Sequence, residues 1–297
     1  MNDKTCIVIA GPTAVGKTAL AIDIARHFNT SVISADSRQC FKELNIGVAK
    51  PSAEQLKEVR HYFINSHTVR DTVNAAVFEE YAINAVEQIF QDRDTAVMAG
   101  GTGLYIKAFC EGLNSIPSID RSIRSSIVHD YTEKGLSWLQ QEVSVIDPLF
   151  FSKGEIQNPQ RLMRALEVML GTGSSLLSFY GPPKSRGFKI VKIGIELPRE
   201  QLYDNINNRV NEMIRQGLVE EVRSLLPFRN CNALQTVGYK ETFAYLDGRL
   251  TEAEAVNELK TNTRHYAKRQ LTWFKKDPFF QWFHPSSYKE IIASIIS

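Results

Sequence analysis

Residues 11–18 read GPTAVGKT and fit the spacing G-x-x-x-x-G-K-[ST], a loop built to close around a phosphate. Gly11 and Gly16 let the backbone turn so that its N–H groups converge on one anion, and the positive end of the helix that follows adds to the pull. Within Gly11, Pro12, Thr13, Ala14, Val15, Gly16, Lys17 and Thr18, two side chains carry chemistry of their own. Lys17 would set an ammonium on the outer phosphates, and Thr18 would offer a hydroxyl to Mg2+. The motif asks for a diphosphate or longer oligophosphate and leaves open which one and what is transferred. Asp36 ends the run SVISAD, residues 31–36, a strand end that would face the same crevice as the P-loop; the position also suits a turn-forming or helix-capping aspartate. Arg209 sits among Asn205, Asn207, Asn208 and Asn211. Arg161 and Arg164 lie one helical turn apart, which suits either a phosphate contact or a solvated basic face. From residue 259 to 276 there is no acidic side chain but six cations, Lys260, Arg264, Lys268, Arg269, Lys275 and Lys276, interleaved with Tyr266, Trp273 and Phe274. A one-sided stripe of this kind suits a nucleic-acid backbone. Helical spacing puts Arg264, Lys268 and Lys275 on one face, with Arg269 and Lys276 beside it.

These groups need elements to hold them. The apolar run 5–10 precedes the loop and predicts a buried strand, and residues 19–25 follow it with helical periodicity. Strands are predicted at 31–36, 61–65, 95–99 and 188–196, and helices after residue 50 and at 74–91, 199–216, 217–226 and 252–276. Residues 235–240 read as a loop entering a helix. The strand at 95–99 runs into Gly100-Gly101-Thr102, where many P-loop proteins carry a metal-holding aspartate. Two glycines there permit close approach of backbone to ligand. Residues 118–186 break the alternation with helices at 122–133, 136–142 and 159–170. The expected architecture is therefore α/β, a doubly wound, mostly parallel P-loop sheet. Residues 1–117 and 187–297 form the core, and 118–186 a helical insertion.

Composition bounds the rest. Hydrophobic residues at 43% and charged residues at 23% of 297 describe an ordinary globular chain. No apolar run approaches the ~18 residues of a membrane span, and the short apolar N-terminal run leads straight into the P-loop, which reads as a cytoplasmic protein without a signal peptide. Cys6, Cys40, Cys110 and Cys231 are widely spaced and read as free thiols rather than a metal or disulfide framework. A net charge of +2 means that any nucleic-acid binding rests on local clustering.

Taken together the residues resemble the bacterial tRNA dimethylallyltransferase (tRNA isopentenyltransferase) family. The matching segments are GPTAVGKT (11–18), ISADSRQ (33–39), IGVAKP (46–51), AGGTGLY (99–105), NPQRLMRALEV (158–168), GLVEEVRSL (217–225), TVGYKE (236–241) and RHYAKRQLTWF (264–274), in the family's order. The P-loop alone is unspecific; GGTGLY, VGYKE and AKRQLTW together are specific. Val15 stands where the family usually has serine, Cys40-Phe41 where it has Val-Tyr, and residues 61–65 are a loose form of a His-His-Leu-Ile-Asp pattern.

The resemblance implies that the P-loop holds the diphosphate of dimethylallyl diphosphate rather than a nucleotide. The allyl group would pass to the exocyclic amine of the adenosine 3′-adjacent to the anticodon. It implies Asp36 as the base, Arg209 on the diphosphate, and Mg2+ at Thr18. Asp36, Ser37, Arg38, Gln39, Thr102, Arg124, Gln160, Arg161, Leu162, Met163, Arg164, Lys240, Arg264, Lys268 and Arg269 would meet the tRNA anticodon stem-loop, with no membrane and a monomeric enzyme. Three alternatives share the P-loop: a small-molecule or nucleotide kinase, an isopentenyltransferase acting on free adenine nucleotides, and a non-catalytic RNA-binding protein. The first two have no need of the basic stripe, and the third has none of Asp36 with Arg209.

Overall fold

The structure, a computed structural model, describes residues 4–296. Its centre is a parallel sheet of six strands: β1 (Thr5–Ala10), β2 (Val32–Ala35), β3 (His61–Tyr62), β4 (Thr95–Gly100), β5 (Lys189–Ile195) and β6 (Gln281–Phe283). They lie in the order β3-β2-β4-β1-β5-β6. The strand before the P-loop thus sits inside the sheet, paired in parallel with β4 and β5. Both faces are covered, which is why β1 is a continuous apolar run rather than an alternating one. Cys6, Val8 and Ala10 enter one core with Ile33, Ala35 and Met98. Ile7 and Ile9 enter the other with Val97, Ile193 and Ile195.

The helices are α1 (Lys17–His27), α2 (Ala53–Glu58), α3 (Ala75–Asp92), α4 (Gly103–Glu111), α5 (Arg121–Ile146), α6 (Pro148–Lys153), α7 (Pro159–Thr172), α8 (Arg199–Arg215), α9 (Leu218–Ser224), α10 (Tyr239–Leu246), α11 (Glu252–Phe274) and α12 (Tyr288–Ile296). The chain divides into two compact units, Gly112–Lys184 and the remainder. The smaller unit is helical and has its own core of Leu139, Val143, Phe150, Leu162, Met163 and Leu166. Its α5 kinks at Gly135, whose φ of 77° interrupts the helix between the two segments predicted from sequence. Cys6, Cys40, Cys110 and Cys231 are free thiols. No helix of the described residues is long and apolar enough to cross a membrane.

Three elements differ from the sequence reading. The strand expected at 61–65 stops at Tyr62, because Phe63 and Asn65 take φ of 62° and 54° and turn the chain away. Phe63 instead supplies a fully buried ring against Phe78 and Tyr81. The helix expected to run to 276 ends at Phe274, with Lys275 as its cap. Lys275 therefore leaves the basic stripe and pairs with Glu196 at 2.7 Å. The third difference is the stretch after residue 276, for which no element is predicted and which forms β6 and α12.

The carboxyl ends of β1, β2 and β4 deliver the P-loop, Asp36 and Gly100-Gly101-Thr102 to one edge of the sheet, where ligands of doubly wound sheets sit. Their spacing is set by contact of backbone on backbone: a Cβ on Gly100 would collide with the carbonyl of Ala35. Gly100→Ala is accordingly expected to destabilise the fold by about 2 kcal/mol or more, read as a lower urea midpoint at unchanged slope. A loss below about 0.5 kcal/mol, the range of an ordinary surface change, would mean that β2 and β4 can separate freely.

Candidate active site

The P-loop closes through Gly11, Ala14 and Gly16, with φ of 159°, 63° and 98°. A Cβ on Gly11 would meet the Ile195 carbonyl oxygen at 2.5 Å, so the loop lies tight on the end of β5. Val15, the departure from the family pattern, is buried in the core and anchors the loop from below. Asn205 Nδ2 on α8 donates to the Ala14 carbonyl at 3.2 Å and ties the loop from the side. Thr13, Ala14, Gly16, Lys17 and Thr18 line a cavity of about 600 Å³, together with Asp36, Ser37, Arg38, Gln39 and Arg209. Local sequence places the first five; only the return of α8 across the sheet places Arg209 beside them.

Besides Arg38, which is drawn to the Asn232 carbonyl, three charges share this cavity. Lys17 Nζ donates to the Pro12 carbonyl at 2.6 Å. Burial first, and then the charge of Arg209, push its pKa down to about 7 against the opposing pull of Asp36. Burial also lowers the Arg209 pKa, again against the pull of Asp36. Two cations thus face one carboxylate, the electrostatics of a site made for a polyanion.

Asp36 does two things at once. Its Oδ1 accepts from the N–H groups of Arg38 and Gln39 at 2.8 and 3.3 Å, the turn-forming role open to it from sequence. Oδ2 remains for the cavity. The turn is held in its own right. Gln39 takes the Ser34 hydroxyl and gives its amide to the carbonyls of Val48 and Ala49. Those residues belong to a loop that the sequence showed only as IGVAKP. Glu221 on α9 fixes that loop by accepting from Asn45, Ile46 and Gly47 N–H groups at 2.7–3.0 Å and from the Tyr239 hydroxyl at 2.7 Å. Gly47 is needed there because a Cβ would lie 2.7 Å from the Tyr239 ring.

Thr102 does not line the cavity; its hydroxyl accepts from Ser37 N–H at 3.0 Å and shares a hydrogen bond with Tyr266. Arg38 Nη1 donates to the Asn232 carbonyl at 3.0 Å. On α11, Tyr266 and Gln270 are turned to the cavity, while Lys268 and Arg269 are exposed. Arg264 is half-buried against the Tyr203 ring, and Lys240 on α10 is exposed.

Within the helical unit, Arg124 reaches Gln160 at 2.8 Å and Glu167 at 3.5 Å. Arg161 and Arg164 pair with Glu155 and Glu167, both at 3.0 Å. Leu162 and Met163 fall on the opposite face of α7 and are buried in that unit's core. Their side chains therefore hold the helix together rather than meet a ligand, a correction to their inclusion among RNA contacts. The sequence reading missed Asn205, Glu221, Tyr239 and Gln270. The one signal for Gln270 was its place at i+4 from Tyr266 and i−3 from Trp273, a polar residue on an otherwise aromatic face.

The IPP transferase family profile matches residues 39–277. The chain is 48% identical over 278 residues to a tRNA dimethylallyltransferase of Christiangramia forsetii, covering 93% of this chain and 92% of that one. It is 44% identical to one of Cytophaga hutchinsonii, covering 99% and 97%. Among solved structures, the full-length tRNA isopentenylpyrophosphate transferase of Bacillus halodurans aligns with a TM-score of 0.74 at 34% identity, over 99% of this chain and 96% of that one.

The depressed Lys17 sets a pH dependence. An anion in the cavity favours charged Lys17, so its pKa rises on binding and a proton is taken up. Affinity for a diphosphate monoester is then greatest below pH 7 and falls above it, by at most about tenfold per pH unit. At pH 8, calorimetry in buffers of different ionisation enthalpy should register close to one proton taken up, and none in Lys17→Arg, which is charged throughout. Equal uptake by both proteins would place the titrating group elsewhere.

Proposed function

The chain belongs to the IPP transferase family, and from that premise we propose the reaction its cavity performs. It transfers the dimethylallyl group of dimethylallyl diphosphate to a tRNA, onto the exocyclic amine of the adenosine 3′-adjacent to the anticodon. The observation that carries this reading is the meeting of Lys17, Arg209 and Asp36 in one cavity. A polyanion site and a carboxylate facing the same space serve a displacement in which one end of the donor leaves as diphosphate and the other is attacked by an amine. Val48, Val210, Met213, Val237 and Leu259 line the same cavity and suit the hydrocarbon end of the donor.

The amine lone pair forms the new bond to the first carbon of the allyl group as the carbon–oxygen bond to diphosphate breaks, its electrons leaving with the phosphate oxygen. Lys17, Arg209 and the P-loop amides stabilise the charge gathering there. Asp36 orients the amine through Oδ2 and accepts its proton. To reach Asp36 the base must leave its stack in the anticodon loop. Thr18 offers one hard oxygen to the cavity beside the diphosphate position. That donor set fits Mg2+, which takes its ligands largely from phosphate and water. When bound, the ion would neutralise part of the diphosphate charge. For the tRNA we assign the exposed Lys268, Arg269 and Lys240, with Ser37 and Arg38 at the mouth, and Arg161 and Arg164 on the helical unit.

The direct test gives the protein labelled dimethylallyl diphosphate with unmodified tRNA, with AMP or with no acceptor, and separately gives it labelled ATP. Label is expected in tRNA alone. Label in AMP would reassign the acceptor, and phosphate transfer from ATP would restore the kinase reading. In single-turnover kinetics with both substrates saturating, Asp36→Asn keeps the Oδ1 turn bonds but cannot take the proton. The chemical step is expected to slow by at least about a hundredfold. A rate within a few-fold of wild type would leave Asp36 as a turn former only.

The double change Lys268→Ala with Arg269→Ala is expected to weaken tRNA binding and leave donor affinity unaltered. Each lost phosphate contact should lower the salt slope of binding by about one. Unchanged tRNA affinity and slope would show the stripe to be a solvated face.

A further inference from the structure

Gln270 is buried, 7% exposed, near the C-terminal end of α11, whose outer face carries the exposed Lys268 and Arg269. A buried amide must satisfy both ends of its dipole. Gln270 does so on two separate loops of the active site. Its Oε1 accepts from the Thr13 N–H of the P-loop at 2.8 Å, and its Nε2 donates to the Gly101 carbonyl at 2.8 Å. Sequence neighbours provide neither partner: Thr13 lies 257 residues away and Gly101 169.

Two further observations show that the loops are shaped to receive it. A Cβ on Gly101 would run into Gln270 Nε2, and a Cβ on Gly103 would run into the Trp273 indole. Tyr266, Gln270 and Trp273 recur at i, i+4 and i+7, one face of α11. That face touches Thr102, the P-loop with Gly101, and Gly103 in turn. Thr102 in its turn holds Ser37 N–H, next to Asp36.

We propose that Gln270 is a positioning residue that sets the distance between the phosphate cradle and the loop that carries Asp36. This rests on the reaction proposed above. The P-loop fixes where diphosphate leaves; the Gly101–Thr102 turn, through Ser37, fixes where the base stands. The β1–β4 pairing holds the two together as far as Ala10 and Gly100. Beyond the sheet the Gln270 amide ties them, and it also commits the Thr13 N–H inward, so the P-loop can close on the phosphate through its remaining amides. Displacement of about 1 Å between reacting groups costs on the order of a hundredfold in rate.

Two variants separate positioning from packing. Gln270→Ala removes the clamp and leaves a hole; Gln270→Met fills the space and removes only the two hydrogen bonds. Two readouts are taken on each, with the melting temperature. One is affinity for inorganic diphosphate, which needs no acceptor and no turnover. The other is the single-turnover rate of label transfer to tRNA with both substrates saturating. In both variants diphosphate affinity is expected to fall about tenfold, the size of one or two lost hydrogen bonds, and the transfer rate about a hundredfold. Gln270→Met is expected to recover melting temperature without recovering either readout. Recovery of both by Met would make Gln270 a packing residue and overturn the inference, as would diphosphate affinity and transfer within threefold of wild type in both variants. Wild-type protein that fails to label tRNA would overturn the reaction proposed above, while the diphosphate arm would still decide whether Gln270 shapes the cradle.

Discussion

Two half-buried cations facing one carboxylate are the constraint on which this structure depends. Lys17 and Arg209 lie in the same cavity as Asp36 and leave an excess of positive charge partly withdrawn from bulk water. Charge withdrawn in that way is unfavourable without a partner, so the cavity favours a polyanion. The fold itself holds the cations in place: Lys17 leans on the Pro12 carbonyl, and α8 carries Arg209 and pins the P-loop through Asn205. A site that holds its charges in advance has little to reorganise when negative charge develops on a leaving group.

The loops around the cavity are rigid for a second reason, the use of backbone groups as ligands for side chains. Glu221 gathers three N–H groups of the 45–47 turn, and Gln39 binds the carbonyls of Val48 and Ala49. Asp36 caps its own turn, and Gln270 bridges Thr13 and Gly101. In each case a side chain satisfies loop backbone that would otherwise need water, Glu221 and Gln270 from helices and Asp36 and Gln39 from the turn after β2. The glycines at 47, 100, 101 and 103 follow from this arrangement, since each lies where another residue's atoms come too close for a Cβ.

Helix α11 divides its two faces between the cavity and the solvent. Its buried face of Tyr266, Gln270 and Trp273 meets the donor site, and its exposed cations are on the outside. The 3.6-residue period allows both roles in one element, because residues three and four apart share a face while their neighbours in sequence point elsewhere. The same geometry in α7 puts Leu162 and Met163 in the core and leaves Arg161 and Arg164 outside.

The sequence by itself determined the P-loop, the parallel α/β sheet, the helical character of the insertion and the place of Asp36 at a strand end. These follow from order along the chain: a strand, a glycine loop and a helix interact with their sequence neighbours, so spacing is enough. The family resemblance added Arg209 and the outline of the RNA contacts. The tertiary structure alone decided that Asp36 is both turn former and free carboxylate, that Gln39 is spent inside the protein, and that Lys275 leaves the stripe for Glu196. It alone revealed Asn205, Glu221 and Gln270. Their partners lie far away in sequence, and such hydrogen bonds exist only once strand order, helix register and rotation are all set together. No local pattern encodes that register, since a glutamine facing water and a glutamine clamping two loops look the same until the helix is docked.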